Sequence, residues 1–140
     1  MENSLVLLQQ DFKLFLQALW AELNLPSPTR AQYAIADYLQ NGPKRLQVQA
    51  FRGVGKSWIT GAFVLWTLFN DPERKVMIIS SSKERADNMS IFLQKLIIDT
   101  PWLKHLQPKS DDSRCQGLAL LLTVAHTKHH QSSQLVLPDS

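Results

Sequence analysis

The feature that most constrains this chain is the run Ala50-Phe51-Arg52-Gly53-Val54-Gly55-Lys56-Ser57 and what stands on either side of it. Before it, Leu46 to Ala50 alternates apolar and polar residues, which reads as a short strand. After it, Lys56 to Phe69 is strongly apolar and reads as a helix, broken by Asp71-Pro72. A strand that turns through two glycines into a helix is a unit of α/β proteins. Gly53 and Gly55 permit a backbone path that turns successive N–H groups inward, so that Gly53, Val54 and Gly55 form a nest for an anion. The following helix adds the partial positive charge of its N-terminus. The run fits the phosphate-loop pattern G-x-x-x-x-G-K-[ST], except that Ala50 stands where the first glycine is usual. Lys56 is then expected on the β- and γ-phosphates of ATP, and the Ser57 hydroxyl on its Mg²⁺. The competing reading is a chance Gly-x-Gly-Lys-Ser with a solvated lysine. The strand before and the helix after favour phosphate.

The rest of the chain suits that unit. Leu5, Leu8, Phe12, Phe15, Leu16, Leu19, Trp20 and Leu23 make one apolar helix face over residues 4 to 24, stopped by Pro26 and Pro28. Thr29 is a plausible N-cap for a second helix running to Gln40 and ended by Asn41-Gly42-Pro43. Lys75 to Ser80 is nearly continuous in apolar residues and reads as a buried strand. Ser82 caps a long helix to Asp99, with Met89, Phe92, Leu93, Leu96 and Ile97 inward and Thr100-Pro101 as its stop. The succession predicts an α/β fold: an incomplete parallel sheet core of the P-loop NTPase type, with N-terminal helices and an irregular C-terminal tail. Gln32, near a helix start upstream of the loop, has an amide that can pair with the adenine edge. Its other reading is a solvent-facing helix residue.

Composition bounds the alternatives. A chain of 140 residues with 44% hydrophobic and 19% charged residues is one modest folded domain rather than a disordered segment. One cysteine, Cys115, excludes an internal disulfide framework. No apolar run reaches the roughly 18 residues of a membrane span. A net charge of +3 permits a nucleic-acid partner without establishing one. Along the chain, every aromatic lies at or before Trp102, and after Asp112 the only acidic residue is Asp139. This break predicts a folded part over 1–112 and a tail of different character over 113–140. His126, His129 and His130 crowd into that tail with Cys115 nearby, but no second ligand pair at a standard spacing accompanies them, so no metal centre is expected there.

The run Leu46 to Ser57 resembles the large terminase subunit (DNA maturase B) of short-tailed phages. So do Leu19-Trp20 with Leu23-Asn24-Leu25-Pro26 upstream, and Ser81-Ser82-Lys83-Glu84-Arg85-Ala86-Asp87 downstream. The resemblance covers about residues 5 to 110, with three separated segments agreeing in order and spacing. It implies the N-terminal part of an ATPase that drives viral DNA into a capsid. Its implied cofactors are ATP and Mg²⁺. Its implied partners are double-stranded DNA, the portal, the small terminase subunit and further copies in a ring. It implies the bacterial host cytoplasm as the location and no membrane. In that family an arginine-bearing phosphate loop is the usual form, so Arg52 resembles the loop arginine that contacts phosphate, and Gln32 the adenine-reading glutamine. Lys83-Glu84-Arg85 corresponds to a DNA-facing or coupling segment, or simply to a capped, solvated first helical turn, the reading favoured here.

Hydrolysis needs an acidic residue at a strand end and a carboxylate to activate water. No apolar run ending in Asp-Glu follows residue 81, and Ile97-Ile98-Asp99 ends a helix instead. The nuclease carboxylates of the resembling family are missing as well, so enzymatic activity is left open. A coding string for residues 125–140 read two nucleotides later gives THQAPSVQSVGITGQ, which resembles the stretch expected here in large terminases. A frameshift between roughly Asp112 and Leu118 is therefore expected, making the chain a truncated ATP-binding fragment. The alternatives are a free-standing small P-loop ATPase, a helicase-like accessory protein, or a non-functional prophage remnant.

Overall fold

In a computed structural model, residues 2–107, Ala125–His126 and Gln134–Val136 are described. The chain divides into two compact units, Met1–Pro72 and Glu73–Ser140. The expected boundary near residue 112 lies outside the described residues.

The first unit holds four helices: α1 (Glu2–Gln10), α2 (Phe12–Glu22), α3 (Arg30–Asn41) and α4 (Lys56–Asn70). The apolar face over residues 4 to 24 predicts one helix, and the structure has two. The break falls at Asp11, whose carboxylate accepts the Lys13 N–H at 2.8 Å and so N-caps α2. Gln40 of α3 satisfies the backbone groups on either side of the break. Its Oε1 accepts the Phe12 N–H at 3.0 Å, and its Nε2 donates to the Gln10 carbonyl at 2.8 Å.

The core of this unit is aromatic. Phe12, Phe15, Leu16 and Leu19 of α2 are fully buried, as are Ile59, Ala62 and Leu65 of α4. The Phe12 ring meets Phe63 edge-on at 5.2 Å and lies 5.5 Å from Trp66, and Phe15 lies 5.6 Å from Phe69. Such pairs add about 0.5–1.5 kcal/mol beyond their buried area. From Ile59 to Phe69, α4 is buried on nearly every side, which is why that part of its sequence is apolar almost all round. Its one buried hydroxyl, Thr67, donates to the Phe63 carbonyl at 2.9 Å, and Trp66 donates its indole N–H to the Leu8 carbonyl.

The second unit begins with β1 (Met77–Ser80) and α5 (Lys83–Asp99), followed by a 3₁₀ helix at Pro101–Leu106 and the short strands β2 (Ala125–His126) and β3 (Gln134–Val136). β1 pairs in parallel with β2 and antiparallel with β3. Ser82 N-caps α5 as expected, accepting the Arg85 N–H, and Ala86, Leu93, Leu96 and Ile97 form its buried side. Lys83, Glu84 and Arg85 are exposed in a capped first turn, an arrangement that both readings of that segment share.

The expectations for the sheet are corrected as well. The described residues are mostly helical, and a parallel sheet core of the P-loop NTPase type is not formed among them. Leu46 to Ala50 carries no strand pairing. Its alternation survives in exposure, with Leu46, Val48 and Ala50 half-buried and Gln47 and Gln49 exposed. Periodicity chooses which side chains face inward, but a strand also needs a neighbour whose N–H and C=O groups match its own. The second strand is shorter and less buried than expected, since Val76 is buried while Met77 is exposed and Ile78 and Ile79 are half-buried.

Candidate functional site

The loop between α3 and α4 is built by its two glycines. Gly53 has φ 93° and Gly55 φ 84°, both in the left-handed region that side-chain-bearing residues adopt only at a cost. Ala50 does not share that conformation; Asn24 is the one described non-glycine residue with a positive φ. That explains how alanine is accommodated where the motif usually has a first glycine. Gly55 occupies the N-cap position of α4 and provides no side-chain cap to the N–H groups of the helix start.

Lys56, the first residue of α4, folds back over the loop. Its Nζ donates to the Ala50 carbonyl at 2.7 Å and to the Phe51 carbonyl at 2.9 Å. The ammonium thus sits on two neutral oxygens at the entrance of its own loop. Val54 is buried and anchors the middle of the turn, while Arg52, Gly53 and Ser57 are exposed. Two aromatics flank the turn: Phe51 is exposed, and Trp58, about half-exposed, meets Trp20 edge-on at 6.1 Å.

Gln32 reaches the same loop. Thr29 N-caps α3, and Gln32 completes a capping box in which its Oε1 accepts the Thr29 N–H at 2.9 Å. Its Nε2 donates to the Val54 carbonyl at 3.0 Å. An N–H on one side and a C=O on the other fix which end of the amide is oxygen. One donor hydrogen and one acceptor lone pair remain free. The structure therefore brings Gln32 together with the loop, a contact that sequence reasoning missed. The Thr-x-x-Gln spacing was the signal for the cap, but nothing in the sequence signals the contact to Val54, 22 residues on.

Over 109 aligned residues the chain is 52% identical to the large terminase subunit of Enterobacteria phage T3. The matched stretch belongs to the terminase large subunit family. It is 76% of this chain but 19% of the length of the phage protein. No protein-family model matches the chain. The terminase resemblance of the loop and its flanks therefore extends over a stretch of 109 residues.

Among the described residues, no three His, Cys, Asp or Glu side chains stand together in a way that could hold a metal ion, and no helix is long and apolar enough to cross a membrane. The side chains of Cys115, His126, His129 and His130 lie outside the described residues, as does most of the stretch expected to be frameshifted.

Proposed function

We propose that residues 52–57 bind the phosphates of ATP with its Mg²⁺, and that this chain provides the nucleotide-binding part of a DNA-packaging motor subunit. The observation that carries the reading is the loop itself: two left-handed glycines lead into the uncapped start of α4, with Lys56 as its first residue. The residues fit the ligand. The Lys56 ammonium already holds two carbonyl oxygens, and phosphate oxygens offer it stronger, charge-assisted partners. Ser57 follows on the exposed side of the helix start, where its hydroxyl can serve the metal ion. Arg52 adds a second cation at the turn. With Ser57 holding it, Mg²⁺ would supply neutralisation of the phosphate charge.

The Gln32 amide, held with one donor and one acceptor free, suits the adenine edge, which presents one of each. The similarity to the phage T3 large terminase subunit supports a packaging role, with double-stranded DNA, the portal, the small terminase subunit and other copies of the chain as partners and the host cytoplasm as location. The proposal is for binding. No residue is assigned to metal-holding or water activation on the hydrolytic side.

Calorimetric titration of ATP-Mg into the 140-residue chain tests it. Wild type binds, and Lys56→Ala binds at least tenfold more weakly while melting at nearly the same temperature. Superimposable titrations for the two proteins would remove the phosphate-loop assignment.

A further inference from the structure

The geometry points to Gln32 as a positioning residue for the phosphate loop, acting through the Val54 carbonyl and independently of any base. This rests on the phosphate-binding reading above. The argument starts from the peptide between Val54 and Gly55. A trans peptide is planar, with its C=O and N–H pointing in opposite directions, and no cis peptide is present among the described residues. Fixing the carbonyl at 3.0 Å from Gln32 Nε2 therefore also fixes the direction of the Gly55 N–H, which points away from Gln32. That N–H belongs to the stretch whose donors would face an anion. Gly55 is also the residue through which the chain enters α4, so its orientation sets where the helix start and Lys56 stand.

A second observation supports the close fit. A Cβ placed on Gly55 would lie 3.3 Å from Gln32 Nε2, so the amide is packed against the turn as well as bonded to it. The other end of the amide is tied to Thr29, at the start of α3. Gln32 thereby fastens a loop that is otherwise exposed to a rigid helix terminus. Two glycines give the loop the freedom to reach its conformation, and with it the freedom to leave it. A tether that removes this freedom lowers the ordering cost of binding.

The test separates the tether, the cap and the base. The probe is inorganic tripolyphosphate with Mg²⁺, which has no base, compared with ATP-Mg. Gln32→Met keeps length and neutrality but loses both hydrogen bonds, whereas Thr29→Ala loses the N-cap hydroxyl and leaves the Gln32–Val54 contact in place. The expected result is that Gln32→Met weakens tripolyphosphate binding about tenfold, the worth of one hydrogen bond. Thr29→Ala should leave it within twofold, although both variants melt lower than wild type. Amide hydrogen exchange of residues 53–57 in the ligand-free chain should quicken in Gln32→Met and not in Thr29→Ala. If Gln32→Met binds tripolyphosphate as wild type does and loses only its preference for ATP, Gln32 acts on the base alone and the inference fails. If wild type shows no Lys56-dependent tripolyphosphate binding, the phosphate reading fails instead. Exchange then decides the tether by itself, with unchanged rates overturning it.

Discussion

α3 carries a glutamine near each end, and the two are used alike. Gln40 places its amide across the break between α1 and α2, accepting from Phe12 and donating to Gln10. Gln32 places its amide between the start of α3 and the glycine turn before α4, accepting from Thr29 and donating to Val54. In both cases one neutral side chain satisfies a backbone N–H and a backbone C=O that regular structure leaves over. The consequences differ because of what lies beneath each contact. Gln40 closes a joint above Phe12, a fully buried core residue, so its clamp belongs to the fold. Gln32 holds a mostly exposed turn with little apolar packing beyond Val54, so its clamp belongs to the candidate site rather than to the core. The same chemistry stabilises in one place and, on the reading proposed above, pre-organises in the other.

The largest effect sets the scale for both clamps and lies in neither. Phe63 is almost fully buried and touches the rings of Phe12 and Trp66. Phe63→Ala should cost about 3–5 kcal/mol in chemical denaturation, from lost transfer energy plus a cavity. A loss below about 1 kcal/mol would mean that the aromatic cluster is loosely packed, and would shift the weight of the fold toward tethers such as Gln40. Next comes the turn at the Gln32 end. Gly55→Ala should cost about 1–3 kcal/mol, because alanine is strained at φ 84° and its Cβ presses on Gln32 Nε2. Gly53→Ala is the control: its φ of 93° is equally strained, but nothing lies within 4 Å of the added carbon. Equal losses for the two, by thermal melting, would show that the packing of Gln32 against the turn adds nothing.

How much of this was legible in the sequence follows from the range of each interaction. The N-caps at Thr29 and Ser82, the ends of α4 and α5 and the glycine turn were legible because their causes lie within a few residues of their effects. The break at Asp11 was locally signalled by an N-cap residue inside an apolar pattern, and was missed because the hydrophobic face runs through it unbroken. Gln40 was illegible: its partners Gln10 and Phe12 lie 30 and 28 residues away, and no local pattern announces them. Leu46 to Ala50 failed for the complementary reason. Its local pattern was read correctly, as its alternating exposure shows, but strand formation depends on a neighbour that the segment itself does not specify. In the candidate site, the glycine turn into α4 was legible, whereas the hydrogen bond from Gln32 to Val54 became visible only when α3 and the loop were placed side by side.

The smallest effect is the one that most sharply separates the two glutamines. Gln40→Ala removes the acceptor of the Phe12 N–H and the donor to the Gln10 carbonyl. The two losses are unequal. The Phe12 N–H sits in a part-buried contact above the core, while the contact to Gln10 is exposed, so water can replace that donor but replaces the acceptor poorly. The expected cost of Gln40→Ala is therefore about 1 kcal/mol, nearly all from the Phe12 side. Gln40→Glu keeps an acceptor for Phe12 and loses only the exposed donor, so it should recover most of the stability in the same melt. Neither variant should change ATP-Mg affinity, because neither touches Thr29, Val54 or the turn. If Gln40→Glu is as unstable as Gln40→Ala, the exposed bond to Gln10 carries the clamp and the burial argument is wrong. If Gln40→Ala weakens nucleotide binding as much as Gln32→Met does, the two ends of α3 are coupled through the helix, and fold and site cannot be assigned one glutamine each.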